Sequence, residues 1–198
     1  DQTRVFIAMR YWNPLIDQAA AEVAAYAPDE IVLFPLYPQF STTTTRSSLR
    51  LWDTTYRGPG RSRTVCCYPQ GSGWIEAQIE AIHAALAEAG DRPVRLLFSA
   101  HGIPEKLVAA GDPYQEQVES TVSALIETLV ELDIEYGHLA EAHGVQPYLR
   151  TPTVSAAPAF IEGLADAVAD ALGRDGIAPF GSGCQGDWKA CPCQNGLN

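Results

Sequence analysis

No apolar run in this chain approaches the roughly 20 residues that a membrane-spanning helix needs, so no segment reads as a transmembrane helix. Basic residues are scarce, 13 Lys and Arg against 24 Asp and Glu, for a net charge of -11. With no basic stripe to neutralise phosphates, nucleic acid is not an expected partner. The opening Asp1-Gln2-Thr3-Arg4 lacks the charged-then-apolar pattern of a secretory signal. There is no internal repeat and no low-complexity linker. The glycine-rich stretches Gly58-Pro59-Gly60 and Gly71-Ser72-Gly73 match no phosphate loop and read as turns. The five cysteines are odd in number, which argues against a disulfide framework and for a reducing compartment with metal or cluster chemistry. The expected location is cytoplasmic, and a local patch leaves room for peripheral contact with the inner membrane.

What is present is a globular chain of 198 residues, 46% hydrophobic, in which strand-like and helix-like patterns alternate. Strands are predicted at residues 5–8, 30–34, 63–68, 94–99 and 145–149. Helices are predicted after Asn13-Pro14, with Pro14 at the first helical position, and over residues 41–56, 74–89, 113–143 and 158–172. Such alternation specifies an α/β fold: a parallel sheet with helices on both faces, of flavodoxin-like or Rossmann-like topology. The tail from Gly173 onward is rich in Gly, Pro and Cys and reads as irregular.

The sharpest chemical signal is Leu97-Phe98-Ser99-Ala100-His101-Gly102-Ile103-Pro104. An apolar run ends in a small residue, a histidine and a glycine. Open α/β sheets place reactive groups at the carboxyl ends of their strands, and histidine is the side chain whose charge changes most readily near neutrality. Gly111-Asp112-Pro113-Tyr114 then stops the chain and starts a long helix. Further on, Glu127, Glu131 and Glu135 recur every four residues, with His138 following, so all share one helix face. The same pattern also describes an ordinary amphipathic helix with a solvated acidic side.

These motifs, with Met9-Arg10-Tyr11, Tyr37-Pro38-Gln39-Phe40-Ser41 and the Thr42-to-Thr45 run, resemble ferrochelatase, the enzyme that inserts ferrous iron into protoporphyrin IX to make protohaem. The resemblance covers nearly the whole chain, in the family's order. Family members are longer, with two similar α/β domains, so the chain resembles a shortened form. Residues 1–173 then form a ferrochelatase-like α/β domain holding parts of two family domains, and residues 174–198 a Cys-rich tail. A family stretch falls away between Val122 and Glu127, and Leu125 stands where the family's second histidine is found.

The resemblance implies a lyase of haem biosynthesis with protoporphyrin IX and Fe(II) as substrates. It implies His101 as base and iron contact, and Glu127 and Glu131 as further catalytic or iron-handling groups. It implies Arg10, Tyr11, Tyr37, Ser41 and Thr43 at the porphyrin. Arginine forks suit carboxylates, and tyrosine offers a flat face with a polar tip. Simpler roles stand beside these: a strand-ending turn at Tyr37-Pro38 and a helix N-cap at Ser41. Cys184-x6-Cys191-x-Cys193 resembles the tail motif of bacterial ferrochelatases that carry a [2Fe-2S] cluster, which takes four thiolates. The position that supplies the fourth in animal relatives is Thr42 here, which leaves Cys67, with Cys66 as alternative. Zinc, or thiols without metal, are the competing readings of the same cysteines. Peripheral membrane contact and a homodimer belong to the same expectation. The competing function is a non-catalytic porphyrin-, haem- or cluster-binding protein derived from a ferrochelatase.

Overall fold

A computed structural model describes residues 3–92, 94–132, 151–181, 186 and 188–195. Its centre is a three-stranded parallel sheet in the order β1 (Glu30–Leu33), β2 (Arg61–Val65), β3 (Ile177–Ala178). Alternate residues of a strand point to opposite faces, and β1 shows what that does here. Ile31 packs with Ile16, Ala20 and Val23 of α1 (Ile16–Tyr26) and with Trp52 of α2 (Thr45–Thr55). Its neighbour Val32 packs instead with Val65, Tyr68, and Ala167 and Ala171 of α6 (Pro158–Leu172). Helices therefore cover both faces, as the alternation predicts.

Two long helices complete the body. α3 (Ser72–Ala89) starts at Gly71-Ser72-Gly73, so this stretch opens a helix instead of forming a free turn. The reason is close packing: Gly73 lies against Ala159 and Gly163 of α6, where a side chain would have no room. α5 (Tyr114–Leu132) runs without interruption across residues 122–127, and Leu125 is buried at 1% exposure. Two short helices, α4 (Glu105–Ala109) just before α5 and α7 (Pro192–Asn195) in the tail, complete the described elements.

Four expectations need correction. Residues 5–8 form no strand; Phe6 packs inward near Tyr26, while Val5 and Ile7 are 85% and 63% exposed. Residues 94–99 form no strand either, and Leu97 is 72% exposed. Both stretches have strand-type residues, yet a strand exists only where a neighbouring edge accepts its hydrogen bonds, and neither stretch pairs with one among the described residues. The first helix begins two residues late, at Ile16, with Leu15 as its N-cap and a cis Asn13-Pro14 bond ahead of it. The tail is not wholly irregular: Ile177 and Ala178 pair with Thr64 and Val65, because two apolar residues meet the open edge of β2. The predicted strand at 145–149 lies outside the described residues.

Arg63, on β2, draws the sheet and tail together. Its guanidinium is nearly buried, pairs with Glu30 at the start of β1, and donates from Nε to the Arg174 carbonyl at 2.6 Å. Beyond the ladder, Cys66 N donates to Ala178 O at 3.0 Å and Phe180 N to Cys67 O at 2.9 Å.

Candidate functional site

The carboxyl end of β2 leads into Cys66, Cys67 and Tyr68, all buried. Against it lies the segment after β1, Tyr37 to Thr43, and behind both stands the N-terminal half of α5. Three polar side chains of that region tie the pieces together. Gln117, fully buried, accepts the Phe40 N–H at 2.7 Å through Oε1 and reaches the Cys67 thiol from Nε2 at 3.6 Å. Thr121 Oγ1 accepts from Gln39 Nε2 at 2.9 Å and donates to the Pro69 carbonyl at 2.7 Å.

Asp112, buried to 4% exposure, is the third. Its Oδ2 accepts from Thr42 N (2.8 Å), Thr42 Oγ1 (2.7 Å) and Ser41 Oγ (3.1 Å). Its Oδ1 accepts the Tyr114 N–H at 3.0 Å, capping the start of α5. A buried carboxylate persists only with such donors around it. The Gly111-Asp112-Pro113-Tyr114 motif is visible in the sequence, but not its partner: nothing in the sequence indicates that Asp112 holds the Ser41-Thr42 loop.

The expected porphyrin residues divide. Ser41 is buried and turned to Asp112, and its Oγ lies 2.9 Å from Thr43 Oγ1. It is not the N-cap of α2, a position taken by Thr44. Thr43, Tyr37 and Tyr11 are exposed. Arg10 is half-buried, with its guanidinium 4.8 Å from the centre of the Tyr11 ring and its Nε without a hydrogen-bond partner. Arg10 also lines an open hollow with a cavity volume of about 510 Å³, together with Thr42, Arg46, Ser47, Arg50, Leu51 and Thr54. The sequence motifs single out neither Arg46 nor Arg50. Their i,i+4 spacing on one helix was the available signal.

His101 sits in the stretch 94–104, which has no regular secondary structure, and is exposed, with open space around Gly102. It is therefore not at the carboxyl end of a sheet strand. Glu127 is exposed on α5, and neither His101 nor Glu127 makes a hydrogen bond or ion pair among the described residues. Glu131 falls in the last turn of α5; Glu135 and His138 lie outside the described residues.

The thiols are the other convergence. Cys66 Sγ lies 3.0 Å from Cys193 Sγ of α7 and 3.6 Å from Cys67 Sγ. Phe40 closes this small core, and Cys191 is buried nearby in sequence; Cys184 lies outside the described residues. Among the described residues no complete group of three His, Cys, Asp or Glu side chains stands ready around a metal position. Burial pushes the neighbouring Tyr68 phenol well above its usual range, and its hydroxyl has no hydrogen-bond partner.

Comparison with known proteins places this arrangement. The ferrochelatase family profile matches residues 1–127 and 122–172, two stretches that overlap where α5 crosses residues 122–127. A ferrochelatase of Caulobacter vibrioides is 43% identical over 254 residues, covering 100% of this chain and 73% of its own. One from Phenylobacterium zucineum is 43% identical over 250 residues (98% and 73%), and one from Hyphomonas neptunium 40% identical over 250 (97% and 69%). The alignments are longer than the 198-residue chain, so these relatives carry residues inside the matched region that this chain lacks. On the strength of these matches along its length, the chain belongs to the ferrochelatase family of lyases.

Proposed function

We propose that this chain is a ferrochelatase of haem biosynthesis, inserting Fe(II) into protoporphyrin IX to make protohaem. The observation that carries this reading is the 43% identity to a ferrochelatase along the whole chain. The reaction needs a base for the two pyrrole protons, a cleft that holds the planar ring, and weak ligands that deliver the iron. His101 serves as base and iron contact, its imidazole open to a planar ligand beside Gly102. Glu127 supports it, and Glu131 follows one turn later on α5 as a further iron-handling carboxylate. Arg10, Tyr11, Tyr37 and Thr43 face the porphyrin. Ser41, turned to Asp112, shapes the loop on which Thr43 stands.

A [2Fe-2S] cluster on Cys184, Cys191, Cys193 and one of Cys66 or Cys67 belongs to this proposal. Cys193, from the tail, already stands with its Sγ 3.0 Å from that of Cys66 at the end of β2, so the two regions that would share the cluster meet. The site is buried, and Gln117 offers an N–H to Cys67, the kind of outer hydrogen bond that tunes such centres. The sequence favours Cys67 as fourth ligand, whereas the 3.0 Å contact with Cys193 favours Cys66. When bound, the cluster pins α7 and the tail to the end of β2, since metal binding there is folding free energy. Residues 1–173 are the α/β body and 174–198 the Cys-bearing tail, which β3 joins to the sheet. No helix among the described residues is long and apolar enough to cross a membrane. The proposal includes a cytoplasmic location, peripheral contact with the inner membrane and a homodimer.

The test is a metal-insertion assay with protoporphyrin IX and Fe(II), run beside His101→Ala. Loss of a general base lowers the rate by at least about 100-fold while porphyrin binding survives. A folded His101→Ala protein within about threefold of the parent rate would place the base elsewhere.

A further inference from the structure

The sulfurs at the end of β2 can do chemistry that needs no metal. Cys66 Sγ and Cys193 Sγ lie 3.0 Å apart across 127 residues of sequence. A disulfide bond is about 2.05 Å long, so a movement of about 1 Å joins them. Both residues are thiols, and they differ in access. Cys66 is fully buried in the small core that Phe40 closes, whereas Cys193, on α7, is partly exposed.

The other thiol beside Cys66 is a poor competitor. Cys67 Sγ is 3.6 Å from Cys66 Sγ, yet the two residues are neighbours across a trans peptide. Their Cα atoms therefore stand about 3.8 Å apart, and an unstrained disulfide needs about 4.4–6.8 Å. Gln117 Nε2 also reaches the Cys67 sulfur at 3.6 Å, which holds it toward α5. The backbone around Cys66 is fixed: its N–H donates to the Ala178 carbonyl, and the Cys67 carbonyl accepts from Phe180. Those bonds bring the start of the tail to the sheet, and the Cys66–Cys193 approach brings α7 to the same place.

We propose that Cys66 and Cys193 are a peroxide-oxidised dithiol whose disulfide locks the tail to the sheet and shuts out metal. The partly exposed Cys193 meets the oxidant first. Its thiolate attacks one oxygen of hydrogen peroxide and the O–O bond breaks. The products are a sulfenic acid and, with the thiol's proton, water. Cys66 then attacks the sulfenic sulfur. The S–S bond forms, the S–O bond breaks, and a second water leaves with the Cys66 proton. The two thiols together give up two electrons, which the peroxide takes. Burial shields Cys66 from the oxidant until that step, and its closeness captures the sulfenic acid before it oxidises further. A thiol reductant reverses the bond, as befits a disulfide in a reducing compartment. The bond uses two sulfurs of the proposed cluster set, so oxidation and metal binding exclude one another. That exclusion rests on the cluster reading above; the disulfide itself does not.

The experiment treats the full chain, stripped of metal by a chelator under reductant and then desalted, with an equimolar amount of hydrogen peroxide. Remaining thiols are alkylated, the chain is digested with trypsin, and the peptides are weighed by mass spectrometry. The peptide carrying Cys66 and Cys67 should be joined to the one carrying Cys191 and Cys193, and a reductant should part them. Cys67→Ser and Cys191→Ser should keep the joined peptide; Cys66→Ser and Cys193→Ser should lose it. The oxidised chain should take up no iron and sulfide in anaerobic reconstitution and should regain uptake after reduction. Absence of the joined peptide, or its survival in Cys66→Ser or Cys193→Ser, overturns the proposal. So does a native chain that gives the same mixture of pairings as the chain in urea, where the geometry is lost. An oxidised chain that takes up as much iron and sulfide as the reduced one overturns the exclusion of metal. A reduced chain that takes up none, with the joined peptide formed, overturns the cluster reading and supports the lock.

Discussion

Asp112 Oδ2 accepts the backbone N–H of Thr42 at 2.8 Å across 70 residues of sequence. The same carboxylate caps α5 through Tyr114, so one side chain fixes both the loop after β1 and the start of the helix behind it. Loop position and helix position are thus set together.

Removing that carboxylate should loosen both at once. Asp112→Ala leaves the Thr42 N–H and Ser41 hydroxyl without their acceptor and should cost about 3 kcal/mol of stability. Asp112→Asn, which keeps an acceptor oxygen, should cost roughly half as much. Urea unfolding midpoints check both, and an Asp112→Ala midpoint equal to the parent's would show that the loop is held by other contacts.

The cysteines make separate predictions. With Cys66 Sγ against Cys193 Sγ, Cys66→Ser should lower bound iron and acid-labile sulfide to under about half a cluster per chain in anaerobically prepared protein, while Cys67→Ser keeps both. The reverse result would assign the fourth ligand to Cys67. Full retention in both variants would remove these two residues from the ligand set.

Tyr68 gives a pH signature. Its phenol is raised by burial above the unfolded value of about 10. Above that pH the unfolded chain loses a proton that the folded chain keeps, so stability is full below about pH 10 and falls as pH rises. Tyr68→Phe should remove this part of the alkaline slope. At pH 7 it should change stability little, because the hydroxyl it deletes has no hydrogen-bond partner. Thermal melts of parent and variant between pH 7 and 11 decide it, and parallel curves would contradict it.

The α3–α6 contact should be intolerant of a single methyl. A Cβ at Gly73 would meet the Ala159 carbonyl and lie 2.8 Å from Gly163 Cα. Gly73→Ala should therefore destabilise by about 1–3 kcal/mol, despite alanine's better helix propensity. Gly102→Ala, in open space, serves as the tolerated comparison. A Gly73→Ala protein as stable as the parent would mean the helices part without cost.

The sequence alone determined the elements whose patterns are local. β1, α3 and α6 follow from apolar periodicity and bounding Pro and Gly, and two-faced burial of the sheet follows from strand–helix alternation. The family was legible too, because motifs such as Ser99-Ala100-His101-Gly102 and Gly111-Asp112-Pro113-Tyr114 keep their residue types in order. Tertiary structure decided everything that depends on a distant partner. Residues 5–8 and 94–99 have strand composition yet pair with no edge among the described residues, while Ile177-Ala178, in a tail without strand pattern, found one on β2. The gathering of Arg10 with Arg46 and Arg50, the approach of Cys66 to Cys193, and the hold of Asp112 on Thr42 likewise join residues far apart in the chain. Local preference is written residue by residue, whereas pairing and convergence depend on which surfaces packing brings together.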